Sequence, residues 1–155
     1  MRSRRLIDAA AMLRYPLLVA TYRTLIGLLA VSGLRVGEAI RLDTGDIDPE
    51  RGLLIVRDTK FGKTRLVPLH STTIDALDDY IQRRGRLYPC PQPRAPAVFI
   101  SAAGTRLIYN SVNFTFLKLA RRAGLQARSP TRRPRAHDLR HTMAARTQRL
   151  VPRRR

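Results

Sequence analysis

At 155 residues, the chain is long enough for one domain with a hydrophobic core and too short for two comfortable ones. Its 30 Lys and Arg residues outnumber 11 Asp and Glu, and the net charge of +19 predicts a polyanionic partner, with nucleic acid the first candidate. The single cysteine, Cys90, excludes an intrachain disulfide and a cysteine-based zinc site. The apolar stretches are too short for a bilayer, so we expect no membrane partner and a cytoplasmic, nucleoid-associated location.

The first half of the chain predicts two helices and a small sheet. Residues 17–31 are apolar and suit a buried helix, which Ser32 and Gly33 then end. A shorter helix is expected over about residues 35–42, with Arg35 in its first turn. Turns then separate three short β-rich segments, which we expect to pair as antiparallel strands: residues 46–48, 53–57 and 65–68.

The next predicted element is an amphipathic helix that begins near Ser71 or Thr72, either of which can serve as its cap. Its aspartates face away from its apolar stripe, which is formed by Ile74, Leu77 and Ile81. A proline-rich loop follows, and a short strand is expected at residues 98–100.

One further helix is predicted to begin at Asn110 or Ser111 and to end at Gly124. We expect both Phe114 and Phe116 on its buried side rather than in a base-stacking role. The pattern as a whole indicates an α+β fold that is mostly helical, with one small three-stranded antiparallel sheet.

Three separated stretches carry the chemistry of this sequence. They are Ser-Gly-Leu-Arg-Val-Gly-Glu at residues 32–38, Thr-Lys-Phe-Gly-Lys-Thr-Arg-Leu-Val-Pro-Leu at residues 59–69, and His-Asp-Leu-Arg-His-Thr at residues 137–142. In this order, and on a helix, a hairpin and a helix, they resemble the motifs of the catalytic domain of tyrosine recombinases, the phage integrase family. The resemblance covers about residues 11–146.

The resemblance implies a site for a DNA phosphate. Arg35 and Arg140 would hold the nonbridging oxygens, a task that suits a planar and permanently charged guanidinium. Lys60, in the hairpin between the last two strands, would protonate the departing 5′ oxygen, and His137 would act in proton transfer around the attacking group. The resemblance implies no metal and no cofactor.

The sequence departs from the family pattern after the second arginine of the site. The family places a further His or Trp, and then the nucleophilic Tyr, some thirty residues beyond that arginine, whereas 15 residues follow Arg140. All five tyrosines precede His137, so we expect no nucleophile. We therefore expect a partial catalytic domain at residues 1–146 without the C-terminal helices of the family, and a basic tail outside the family at residues 147–155. Whether the chain is an enzyme stays open.

Several further basic residues are expected to contact DNA phosphates: Lys63, Arg65, Arg132, Arg133 and Arg135. Other interpretations of the motif residues remain. Arg35 could pair with Glu38 or Asp43 on the surface, and the hairpin cations could protect an edge strand. His137 and His141 also have a zinc-ligand spacing.

The function expected from the sequence is that of a DNA-binding fragment of a site-specific recombinase, which acts in DNA recombination or integration and cannot cleave DNA alone. Its partners would be double-stranded DNA and, as a second candidate, an intact recombinase protomer. In one alternative the chain regulates or complements that protomer. In another, it is a basic RNA-binding protein whose likeness to the family is accidental.

Overall fold

The computed structural model describes residues 2–57, 63–88 and 96–125. Five α-helices and one 3₁₀ turn surround a small sheet in this part of the chain. The elements, in chain order, are α1 (Arg2–Ala10), α2 (Pro16–Ser32), α3 (Val36–Arg41), the 3₁₀ turn (Thr44–Asp46), β1 (Ile47–Asp48), β2 (Leu53–Val56), β3 (Arg65–Pro68), α4 (Ser71–Leu87) and α5 (Tyr109–Arg122).

Helix α2 is the centre of the fold because nearly every face of it is apolar. Pro16 opens the helix at a position where its missing N–H costs nothing, and the following turns pack against α1 and α4. The packing between α2 and α4 includes one buried polar contact, in which the hydroxyls of Thr21 and Tyr80 lie 3.0 Å apart. The Tyr80 ring also stacks on Phe99, with the ring centroids 5.5 Å apart.

The sheet is antiparallel, with the strand order β1-β2-β3. In β2 the side chains alternate, so that Leu54 and Val56 are buried against the helices. Strand β3 pairs Arg65 with Val56 and Val67 with Leu54. The register thus places Arg65, the first residue of β3, beside Val56, the last residue of β2.

The described residues confirm most of the predicted elements. The mostly helical fold with three antiparallel strands is the predicted one, and the stripe on α4 is buried as expected at Ile74 and Leu77. Gly124, with φ of 66°, follows the end of α5 as predicted.

Some predictions at the level of single elements were wrong. Residues 98–100 form no strand, and the extended contacts there are the isolated bridges Asp43–Ala97 and Ile100–Arg106. Phe114 is 71% exposed, whereas Phe116 packs partly against the core. A third difference is helix α1, which was not predicted from the basic sequence at the start of the chain. This helix nevertheless buries Leu6 and two alanines.

Two helix caps also differ from the prediction. His70 precedes α4, and its ring nitrogen accepts from the Thr72 N–H at 3.4 Å, so neither Ser71 nor Thr72 is the cap. Ile108 precedes α5, in place of Asn110 or Ser111. Within the described ranges, no helix combines the length and the apolar character needed to cross a membrane.

Candidate active site

The backbone between α2 and α3 presents Arg35 at the surface. Gly33 ends α2 in the left-handed region, with φ of 65°, and turns the chain away from the helix axis. The Ser32 hydroxyl donates to the Leu28 carbonyl at 2.6 Å and accepts from the Leu34 N–H at 3.3 Å. Leu34 is buried in the core and anchors the connection. The residue after this anchor is therefore held in a fixed place.

Arg35 lies directly before α3 rather than in its first turn, because the helix begins one residue later than predicted. Its backbone is extended, with φ of −75° and ψ of 148°. Its N–H donates to Oε2 of Glu38, the third residue of the helix, at 2.8 Å. This is the carboxylate half of a capping box, which satisfies a donor at the start of the helix.

Glu38 also holds two guanidinium groups. Nη1 of Arg35 lies 3.3 Å from its Oε1, and Nη2 of Arg65 lies 2.9 Å from its Oε2. The side chain of Glu38 is 4% exposed, while those of Arg35 and Arg65 are 43% and 46% exposed. The carboxylate is thus buried beneath two cations that still face solvent. We call Arg35, Glu38 and Arg65 the Glu38 cluster.

The Glu38 cluster has the electrostatics of an anion site. Two guanidinium charges against one carboxylate leave a net positive charge. Each guanidinium carries five N–H donors in a fixed plane, and the carboxylate contacts reach one terminal nitrogen of each. A phosphate oxygen approaching from solvent can therefore be met by fixed, charged donors, as a phosphoryl-transfer site requires.

A second buried carboxylate lies nearby in the chain and is built in the same way. Asp46, the third residue of the 3₁₀ turn, is 6% exposed. It accepts from the Asp43 N–H at 2.9 Å and from Nε of Arg57 at 2.7 Å. Arg57 directly follows β2, and Arg65 opens β3. Both stems of the hairpin are therefore tied to the helical elements that precede the sheet.

Two other arginines have a structural role that the sequence did not reveal. Arg106 contacts the Asp43 carboxylate and donates to the carbonyl oxygens of Ile40 and Leu42, at 3.1 and 3.3 Å. Arg84 contacts the Ala97 carbonyl and donates to that of Val98 at 2.8 Å. These guanidiniums satisfy carbonyls at the end of α3 and in a loop, so part of the basic charge serves the fold.

Comparison with known proteins identifies the family. Residues 4–149 match the phage integrase family. The chain belongs to the phage integrase family. It is 45% identical over 127 residues to the "Putative integrase/recombinase y4rB" of Sinorhizobium fredii, covering 82% of this chain and 40% of that protein. It is 38% identical over 124 residues to the tyrosine recombinase XerD of Mycobacterium tuberculosis, covering 79% of this chain and 37% of that one.

The fold agrees with that assignment. The crystal structure of the XerA recombinase superposes with a TM-score of 0.73 at 26% identity, over 96% of this chain and 48% of that chain. This member of the phage integrase family therefore spans less than half the length of each of these three relatives.

The structure brings together two of the site residues predicted from the phage integrase motifs, Arg35 and Arg65. Lys63 is exposed and lies two residues before Arg65. The other predicted residues lie outside the described part of the chain: Lys60, Arg132, Arg133, Arg135, His137 and Arg140. Their roles, and the DNA contacts predicted for Lys63 and Arg65, remain predictions.

Sequence reasoning underestimated Glu38, which it placed in the first motif without a role of its own and, in the alternative, as a surface partner of Arg35. The pair does form, but Glu38 is buried and shared with Arg65. The available signal was its place as the third residue of a short helix, where a Glu commonly caps the backbone. The contact with Arg65 spans 27 positions in the chain, and local spacing cannot reveal such a contact.

Two of the five tyrosines lie in the core. Burial raises the pKa of Tyr80 and of Tyr22 above the ordinary value of 10.0, because the phenolate would lose its hydration. Their hydroxyls are directed at partners within the fold, at Thr21 for Tyr80 and at the Ser111 carbonyl for Tyr22. Neither group suits an attacking nucleophile, which needs exposure and an activating base.

Proposed function

We propose that this chain is part of a site-specific tyrosine recombinase and that the Glu38 cluster binds a phosphate of double-stranded DNA. Relatives at 34% to 38% identity are tyrosine recombinases by name. XerH, a neighbour in fold at 22% identity, has been solved on its palindromic difH DNA substrate. The net charge of +19 supports the same class of partner.

The observation that carries the proposal is the burial of the Glu38 carboxylate beneath two half-exposed guanidiniums. A surface arginine searches many rotamers and loses that freedom on binding. Arg35 has its backbone N–H and its side chain fixed by the same carboxylate, so less freedom remains to be lost when a phosphate arrives. Preorganised donors of this kind favour the charge that develops in phosphoryl transfer.

The remaining roles are proposed from the motifs. Arg140 would be the second guanidinium on the phosphate, Lys60 the acid for the 5′ oxygen, and His137 the proton-transfer group. The loop arginines at 132, 133 and 135, together with Lys63, would contact neighbouring phosphates. The two strands that flank Lys60 end at Val56 and begin at Arg65, and these residues are paired. Arg65 in turn contacts Glu38.

We propose further that the chain alone binds DNA without forming a phosphotyrosine bond. All five tyrosines precede His137, and both Tyr22 and Tyr80 are buried. The test is a nicked duplex that traps covalent intermediates, resolved on a denaturing gel. A band that survives denaturation and is lost on replacing one tyrosine by Phe would refute this part of the proposal. An intact protomer as second partner stays a prediction, and adding one to the same assay would reveal adducts formed in trans.

The DNA proposal is tested by duplex affinity as a function of salt. Arg35→Ala is expected to weaken binding about tenfold and to lower the salt slope by about one, because one charge-assisted phosphate contact is lost. Arg51→Ala is the matched control, since Arg51 is 79% exposed, lies in the turn between β1 and β2, and pairs with Asp48 rather than with Glu38. Equal losses in the two variants, or equal affinity for single-stranded RNA, would favour a merely basic protein.

A further inference from the structure

We infer that Arg65 is a positioning residue for Arg35, acting through Glu38 rather than as an independent DNA contact. The inference rests on the proposed function, because it assigns a role within the same phosphate site. It refines the expectation that Arg65 simply joins a row of DNA-binding cations.

The first argument is that the two carboxylate oxygens of Glu38 have different hydrogen-bond partners. Oε2 accepts both from the Arg35 N–H, at 2.8 Å, and from Nη2 of Arg65, at 2.9 Å. Oε1 accepts from Nη1 of Arg35 at 3.3 Å. Arg65 therefore holds the oxygen that caps the helix, and this leaves the other oxygen directed at the Arg35 guanidinium. Without Arg65, the carboxylate can rotate, and both contacts with Arg35 loosen.

The second argument is charge. An isolated pair of Arg35 and Glu38 would be neutral, and its pull on a phosphate would be weak. The Arg65 guanidinium offsets the carboxylate, which leaves the charge of the Arg35 guanidinium available to a phosphate. Since Glu38 is almost fully buried, this compensation occurs where solvent screens it least.

The third argument is mechanical. Helix α3 has six residues, too few to be stable on its own, so contacts from elsewhere must fix its start. Arg65 belongs to β3, which is paired with β2 over four residues. Its contact with Glu38 therefore joins the start of α3 to the sheet. A bidentate-capable, planar group suits this task better than the single charge of a lysine.

The chain contains a matched control for this contact. Arg57 directly follows β2, at the same end of the β2–β3 pair as Arg65. It pairs with Asp46, another buried carboxylate at the third position of a helical turn. Its side chain is 62% exposed, against 46% for Arg65. Arg57 thus shares the charge, the neighbourhood and the type of partner, but its carboxylate does not contact Arg35.

The experiment is a double-mutant cycle on duplex affinity at fixed salt. Arg65→Ala should weaken binding about fivefold to tenfold in the natural chain, but less than about twofold in an Arg35→Ala background, because its effect passes through Arg35. Arg65→Lys should recover part of the loss, since it restores the charge without the planar fork. Arg57→Ala should have the same small effect in both backgrounds. Equal losses for Arg65→Ala in both backgrounds would overturn the inference and make Arg65 an independent contact.

A measurement without DNA separates this inference from the proposed function. In the free protein, the Arg35 backbone N–H should exchange its hydrogen about tenfold faster in Arg65→Ala than in the natural chain. The exchange rate in Arg65→Lys should be intermediate, and the rate in Arg57→Ala should be unchanged. Unchanged exchange in Arg65→Ala would refute the positioning role whatever DNA does. If exchange responds as expected but Arg35→Ala leaves duplex affinity intact, the positioning role stands and the DNA proposal fails.

Discussion

Two buried carboxylates, Glu38 and Asp46, occupy the same local position and do different things. Each is the third residue of a helical turn and accepts from the backbone N–H that precedes the turn. Among the described contacts, Asp46 pairs with Arg57, whereas Glu38 pairs with both Arg35 and Arg65. The local motif is therefore a structural cap in both cases. A second guanidinium converts the cap at Glu38 into a positively charged site.

The largest expected effect is on folding stability when a carboxylate is removed. Glu38→Ala should lower the free energy of unfolding by about 3 kcal/mol, because it removes a cap and leaves two guanidiniums without their anion. Asp46→Ala should cost about 2 kcal/mol, since one guanidinium is left. Urea unfolding followed by circular dichroism measures both. A cost for Asp46→Ala equal to or above that for Glu38→Ala would break the comparison.

Two glycines, Gly33 and Gly45, sharpen the comparison between the Glu38 cap and the Asp46 cap. Gly33 has φ of 65°, so Gly33→Ala should cost about 1 to 2 kcal/mol in free energy of unfolding, the penalty for a side chain in the left-handed region. Gly45 lies in the 3₁₀ turn with open space around its Cα and is not in that region, so Gly45→Ala should change stability by less than about 0.5 kcal/mol.

Thermal unfolding of the two glycine variants side by side is the measurement. Gly33→Asn serves as the control, since asparagine tolerates the left-handed region better than alanine and should recover part of the loss. If Gly33→Ala and Gly45→Ala are equally mild, Arg35 is not held by the turn that Gly33 makes.

Much of this architecture follows from periodicity in the sequence. The apolar run of α2, the stripe of α4 and the three strands have patterns that local physics interprets directly. The phosphate site at Arg35 was predicted in a different way, from the resemblance of its motif to the motifs of the phage integrase family. Capping residues were less predictable, because several polar side chains near a helix start can serve.

The parts that were missed depend on contacts between distant segments. The link from Arg65 to Glu38, and the use of Arg84 and Arg106 to satisfy carbonyls, join residues that no spacing rule relates. Phe114 was expected on the buried side because it was assigned to the apolar stripe of its helix, but the described fold leaves it 71% exposed. A sequence pattern gives the types of residues at a site and not their partners.

The buried hydrogen bond between Tyr80 and Thr21 provides a reference that involves neither carboxylate. Tyr80→Phe removes the hydrogen bond with Thr21 and should cost about 1 kcal/mol in free energy of unfolding at neutral pH. Burial raises the pKa of Tyr80 above 10.0, so the folded state keeps its proton longer than the unfolded chain. Stability from this group is therefore complete below about pH 10 and is lost as the pH rises further.

Urea unfolding at several alkaline pH values tests whether the Tyr80 hydroxyl loses its stabilising effect as the pH rises. The natural chain should lose stability above about pH 10 more steeply than Tyr80→Phe, which lacks the titrating group. Tyr22 remains in both proteins and contributes in the same direction, so the slopes should differ without the variant becoming flat. A steeper slope in Tyr80→Phe would contradict the assignment.

The smallest expected effect comes from an exposed copy of the pair at the site. Arg51 and Asp48 have the same three-residue separation as Arg35 and Glu38. However, Nε of Arg51 lies 3.9 Å from Oδ2 of Asp48, and the two side chains are 79% and 31% exposed. Solvent screens such a pair, so Arg51→Ala should change the free energy of unfolding by less than about 0.5 kcal/mol. Urea unfolding measures it beside Glu38→Ala. A cost near that of Glu38→Ala would mean that spacing, and not burial beneath a second guanidinium, gives the Glu38 cluster its strength.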